Sequence, residues 1–237
     1  MRNKFYIIIF IFFGFLNFKN LLAKDLNINA ETIEIDKTSE TLNATGNVEV
    51  IDEKNNTIYS SKIKYDKSKN ILNTFGETEI ITSEKYKIIG KDITYDSSKG
   101  IVYSNNETNI TDLNGNKIFV TMFNYLVKKN MLMSTGEIKI TDVKKNQYYF
   151  SEIYIDEKKK KIVGSDIRAF LNDGSFKYDP RNEPRFFANS ADINENETIF
   201  NKAVFTVCKN RDENKCPPWT IRAEKIKHNS AKKTIFY

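Results

Sequence analysis

Apolar side chains return every 30 residues along the first two-thirds of the chain. Ile33, Ile63, Ile93, Phe123 and Ile153 share one phase, and Ile35, Tyr65, Tyr95, Tyr125 and Ile155 follow two residues later. Leu42, Leu72, Val102, Leu132 and Ile162 form a third column, and Val50, Ile80, Ile110, Ile140 and Phe170 a fourth. A fixed period of this length predicts one supersecondary unit stacked on copies of itself, with an elongated surface. Inside one copy the alternation has a period of two. Ile63 and Tyr65 stand two apart, and Leu72, Thr74, Gly76, Thr78 and Ile80 share one parity. Alternation places these side chains on one face of a strand, whereas a helix would need apolar residues at three- and four-residue steps.

The breaks between strands are polar. Asp36, Asp66, Asp96 and Asp156 each close the first strand of a copy, with Leu126 in the fourth. An Asp there can accept hydrogen bonds from the backbone just ahead of it and start a turn. The second turns read Asp52-Glu53-Lys54-Asn55-Asn56 and Asp112-Leu113-Asn114-Gly115-Asn116. Gly46, Gly76 and Gly136 recur in mid-strand, replaced by Asn106 and Asp166 in the other copies, and predict a bulge or bend. Each copy is therefore two antiparallel strands of roughly 8 to 10 residues, and the fold class is all-β: an elongated antiparallel array of stacked hairpin repeats.

The register loosens after Phe170. A loop is expected from Asn172 to Pro184, and strand-to-turn openings reappear at Asp192-Ile193-Asn194 and Ile226-Lys227-His228-Asn229. Because Tyr237 falls within an apolar strand, the chain reads as a piece of a longer protein.

Residues 1–23 read as a secretory signal, with Arg2 and Lys4 ahead of an apolar run from Phe5 to Phe18 and a small residue, Ala23, at the cleavage site. An uncleaved anchor is the alternative, but the run is short for a span of about 20 residues. Residues 24–237 then form the β-domain. Without the leader's three cations, 34 basic residues face 31 acidic ones, so the net +6 of the whole chain falls to +3. That balance, interspersed at the turns, fits a solvated surface and offers nothing for nucleic acid. Lys158 to Lys161 reads as a hairpin tip.

No catalytic constellation appears. The one histidine, His228, sits where the repeats place a turn residue, and no Gly-rich phosphate loop is present, so no enzyme activity and no cofactor are expected. Cys208 and Cys216 with one His do not complete a four-ligand metal site. In an oxidising compartment the two cysteines could form a disulfide with each other, or with partners in a longer chain.

The segment Ile35-Asp36, then Leu42-Asn43-Ala44-Thr45-Gly46-Asn47-Val48-Glu49-Val50, resembles the repeat of the OstA-like superfamily: a strand, an Asp, a polar turn, then L-x-A-x-G-x-V. Cys216-Pro217-Pro218-Trp219-Thr220-Ile221-Arg222-Ala223, with the tail Lys233-Thr234-Ile235-Phe236-Tyr237, is similar to the stretch preceding the barrel in the LPS-assembly protein (LptD) family. That resemblance implies a V-shaped β-jellyroll, open along one side, whose interior shields lipopolysaccharide acyl chains. The four columns, together with Val48 and Ile138, would line that groove. It also implies a periplasmic location at the outer membrane. The implied partners are lipopolysaccharide, a bridge protein of the same fold docked edge to edge, and an outer-membrane lipoprotein if a barrel follows. Two features depart from the family: no barrel is present, and the mature N-terminus has no cysteine. A soluble bridge protein without a barrel, and a secreted structural β-array with a filled core, are the competing readings.

Overall fold

The computed structural model describes residues 26–172, 183–194, 196–209, 218–229, 231–232 and 234–237. The expected leader, most of the expected loop after Asn172, and Cys216 lie outside them. The described residues form 19 strands in one antiparallel sheet. In chain order these are β1 (Asn27–Asn29), β2 (Thr32–Asp36), β3 (Thr41–Ile51), β4 (Thr57–Asp66), β5 (Ile71–Thr74), β6 (Glu77–Ile81), β7 (Lys87–Lys91), β8 (Thr94–Asp96), β9 (Ile101–Ser104) and β10 (Thr108–Thr111). There follow β11 (Lys117–Val120), β12 (Phe123–Leu126), β13 (Met131–Thr141), β14 (Gln147–Asp156), β15 (Lys161–Phe170), β16 (Arg185–Ile193), β17 (Glu197–Thr206), β18 (Ile221–Asn229) and β19 (Thr234–Phe236). The all-β antiparallel class read from the alternation is what forms.

Each copy bends at its middle. On β3 four residues, Thr45 to Val48, oppose three on β4, and the same shift recurs between Thr135 and Ile138 on β13. Gly46 and Gly136 sit at these shifts with φ of 80° and 99°, a region that penalises a Cβ. In the second and third copies the bend divides the strand, giving β5/β6, β7/β8, β9/β10 and β11/β12.

The bend folds the sheet onto itself. Tyr95 belongs to the row that contains Leu42, through the pairs Leu42–Tyr65, Tyr65–Leu72 and Leu72–Tyr95. Asp52 lies ten residues beyond Leu42, about 33 Å if the strand ran straight. Yet the Tyr95 hydroxyl is 3.5 Å from the Asp52 carboxylate. The two halves of the sheet therefore face each other, in a jellyroll arrangement, with one continuous apolar core between them.

The inward residues run along the array in cross-strand rows. One row is Val50–Ile58–Ile80–Ile88–Ile110–Ile118–Ile140–Tyr148–Ala169–Phe186–Phe205–Ile221. The facing row is Ile35–Leu42–Tyr65–Leu72–Tyr95–Val102–Tyr125–Leu132–Ile155–Ile162–Ile193–Thr198–His228–Ile235. Three of the repeat columns are thus alternate members of these rows, Phe170 excepted, and the Ile33 column lies in a neighbouring row that includes Ala44 and Ile63.

One expected inward position faces outward, and two others face inward but are not enclosed. Phe170 is 38% exposed and lies on the outer face, against Tyr149 and Phe187. In the earlier copies the second strand takes four residues to cross the bend, as from Ala44 to Val48 or Ser134 to Ile138. In β15 it takes three, from Gly164 to Ile167, all three of these pairs being buried at their ends. One residue fewer reverses the parity, so Ala169 pairs with Tyr148 on the inner face and Phe170 turns outward. Ile33 and Ile35 keep their inward side, opposite Ala44 and Leu42, but are 42% and 68% exposed, with no strand of the described residues facing them at this end of the array. His228, expected in a turn, is a buried residue inside β18.

Candidate functional site

Two lines of turns form the rims of the folded sheet, and the seam between them is the route to its interior. The first rim carries the expected Asp turns. Asp66, Asp96 and Asp156 accept backbone N–H bonds from Lys69, Lys99 and Lys159 at 3.0–3.1 Å and pair with the same lysines' ammonium groups. Hydrogen bonds from Ser68 and Ser98, then from the lysines, hold Asp66 and Asp96 down at about 2. The Lys158–Lys161 run forms one tip of this rim, with Lys161 also bridged to Asp192 at 2.6 Å.

The second rim uses an Asp-x-x-x-Asn unit. In Asp52/Asn56, Asp112/Asn116 and Asp142/Asn146 one carboxylate oxygen accepts the Asn backbone N–H and the other accepts its side-chain amide. The Asn carbonyl oxygen then accepts an N–H from the next turn: Ser83 onto Asn56, Val143 onto Asn116 and Asn172 onto Asn146. This ladder ties consecutive turns together and locks their spacing.

The seam is bridged over the first copies. Lys54 donates to the carbonyls of Val127 and Lys128 at 3.2 and 3.1 Å, and Asn130 donates to Ser83 at 3.0 Å. Thr82 donates to Glu157 at 3.3 Å, and Tyr125 to the other oxygen of the same carboxyl at 2.8 Å. Burial pushes the Glu157 carboxyl up to about 7, against the pull of the Tyr125 and Thr82 hydrogen bonds.

Farther along, the seam opens into a cleft of 470 Å³. Its floor is Ile140 and Tyr148 from one inward row and Ile162, Ile193, Thr198 and His228 from the other. Tyr86 and the Asp112 and Asp142 turns form one wall, and Lys144 and Lys160 stand on opposite rims. The volume lies in the range of ligand pockets, with a largely apolar floor and a mouth lined by Asp, Asn and Lys side chains. Beyond the cleft the core is filled by aromatic rings: Phe186 stacks on Phe200 and Phe205 at 4.4 and 4.5 Å.

The expected groove residues divide accordingly. Val48, Val50, Ile63, Leu72, Ile80, Ile93, Tyr95, Val102, Ile110, Phe123, Tyr125, Leu132, Ile138, Ile153 and Ile155 are buried in the packed core, with Leu42 and Tyr65 partly buried against it. Of the residues expected to line the groove, only Ile140 and Ile162 border the cleft. Tyr86, Tyr148, Ile193 and His228 border it too and were not foreseen. Tyr148 was legible, since Ile58, Ile88, Ile118 and Tyr148 make a further 30-residue column. Ile193 and His228 follow the loss of period and carry no such signal. Cys208 follows β17, partly buried, its carbonyl held by Arg185. Its expected pairing with Cys216 lies outside the described residues.

These features define an antiparallel all-β jellyroll with a partly zipped seam and a cleft with a largely apolar floor. No family model matches the chain, and no curated protein matches it. Among the solved structures that match is LptH of Pseudomonas aeruginosa, described as the LptA-homologous periplasmic component of the lipopolysaccharide transport device. It is 13% identical, with a TM-score of 0.27, over 60% of this chain and 82% of that one. At that distance it transfers no residue role.

Proposed function

We propose that the chain is a non-enzymatic periplasmic lipid conduit that shields the acyl chains of lipopolysaccharide on their way to the outer membrane. The observation that carries this reading is the seam cleft. It has a largely apolar floor continuous with the inward rows and a cation on each rim, Lys144 and Lys160, beside the Asp112 and Asp142 turns, where an acidic headgroup would emerge. Burial of one methylene is worth about 0.8 kcal/mol, so a chain of about a dozen carbons resists water by roughly 10 kcal/mol. A fold that offers apolar surface along a line removes that barrier without chemistry. The OstA-like repeat and the resemblance of the tract from Cys216 to Ala223 to the LPS-assembly protein family support the same reading, with an outer-membrane lipoprotein as a further partner if a barrel follows. At the other end, β2 pairs, among the described residues, with β3 alone and leaves Ile33 and Ile35 exposed. That end fits a bridge protein of the same fold, added strand to strand.

The test is a photo-crosslinking residue placed at Ile162, in the cleft, and at Ile63, wholly buried among the zipped copies. Capture of lipopolysaccharide from Ile162 and none from Ile63 is expected. Failure at Ile162, with the chain folded, overturns the reading and leaves a structural array with a filled core, the reading that the packed first copies favour.

A further inference from the structure

The open stretch of the seam has an outer lip unlike the zipped stretch. The second residue of each turn on the Asp-x-x-x-Asn rim is Glu53, Ser83, Leu113 and Val143 in successive copies. The first two copies put polar groups there, and Ser83 is engaged across the seam. The next two put apolar side chains at the apex, 55% and 59% exposed, although water surrounds a turn tip. They act as a pair, since the Val143 N–H is bonded to Asn116 of the neighbouring turn. Behind the tips runs the outward cross-strand row Lys117–Thr141–Gln147–Phe170. Behind it again is Phe119–Lys139–Tyr149–Arg168–Phe187.

The charge at this lip leans basic: Lys117, Lys139, Lys144, Lys145 and Arg168 outnumber Asp112 and Asp142. Asp112 and Asp142 spend both carboxylate oxygens on their own turns. Lys117, Lys145, Lys139 and Arg168 have no ion-pair partner among the described residues. Toward the bend, Glu137 and Asp166 lie two residues behind Lys139 and Arg168, about 7 Å back. Projecting aliphatic tips, aromatic edges and unpaired cations are the composition of a surface that sits in a lipid interface. A nucleic acid would need open ring faces, and the Lys139 ammonium and the Arg168 guanidinium already occupy Tyr149 at 5.6 and 5.5 Å. We propose that this lip docks on an anionic phospholipid bilayer, with Leu113 and Val143 inserted among the headgroups and the cations on their phosphates. The contact brings the cleft mouth to the membrane surface. It does not depend on which lipid the cleft carries, so failure of the crosslinking test leaves it standing, and the reverse.

The experiment uses the intact chain with vesicles of phosphatidylcholine, alone or with about one third phosphatidylglycerol. Binding to the anionic vesicles is expected. The pair Leu113→Asp and Lys145→Glu should weaken it on the order of tenfold. Lys37→Glu with Lys67→Glu, on the opposite rim, should leave it within about twofold, since those sites would face water. Equal weakening by both pairs, or by neither, overturns the proposal. As a second readout independent of that variant's folding, an indole at Leu113→Trp should be quenched by brominated lipid while one at Phe75→Trp, beside the bend, is not. Equal quenching at both sites also overturns it.

Discussion

Glu157 should make the protein less stable as pH rises through neutrality. Its carboxyl is almost wholly buried beneath the seam, and burial raises it from 4.5 to about 7. The folded state therefore holds the proton more tightly than the unfolded chain does. Below about pH 4.5 both states are protonated and the group has no effect on stability. Between 4.5 and 7 the unfolded chain loses its proton first, so stability falls as pH rises, and above 7 the loss is complete. The interval corresponds to about 3 kcal/mol at most. Asp66 and Asp96, held at about 2, lose their contribution only in acid and do not blur this window. Glu157→Gln keeps an acceptor for the Tyr125 hydroxyl and removes the ionisation. Urea unfolding at pH 5 and pH 8 should show the variant about equal to the parent at pH 5 and about 2–3 kcal/mol more stable at pH 8. The same pH slope in both proteins would refute the assignment of the buried proton to Glu157.

Two further predictions concern the inner face. Leu72→Ala should cost about 2–5 kcal/mol because Leu72 is fully enclosed, whereas Phe170→Ser should cost under about 1 kcal/mol. Comparable losses in denaturant midpoint would mean that β15 does not carry the reversed parity. Gly164→Ala should destabilise by about 1–3 kcal/mol, since an added Cβ would meet the Phe150 ring and the Glu152 carbonyl. Trimming the ring with Phe150→Leu should recover part of that loss only if the ring, rather than the carbonyl, is the main obstacle, and a double-mutant cycle measures the share.

Much of the architecture was written locally. Period-two alternation made strands, Asp turns closed them, and the columns came out as alternate members of real cross-strand rows. Phe170 shows where a column misleads. A 30-residue period includes one extra residue at every second bend, and nothing local in Gly164-Ser165-Asp166-Ile167 announces that β15 lacks it. Ile33 and Ile35 mislead differently: their phase was right, but exposure depends on whether a facing strand exists. His228 fails for a third reason, because beyond Phe170 the spacing that identified turns no longer held.

The chain alone determined an all-β array, its repeat length, its polar rims and the identity of most of its core, because side-chain parity and turn chemistry are local properties. It could not say which inward residues meet an opening. That depends on contacts between residues far apart in sequence, such as Lys54 with Val127 and Thr82 with Glu157, which close the seam over the first copies. The missing residue in β15 and the later strands then change the facing rows where the cleft lies. Only the folded sheet decided that the uniform apolar columns become a packed core at one end and the floor of a cleft, between Ile140 and Ile193, toward the other.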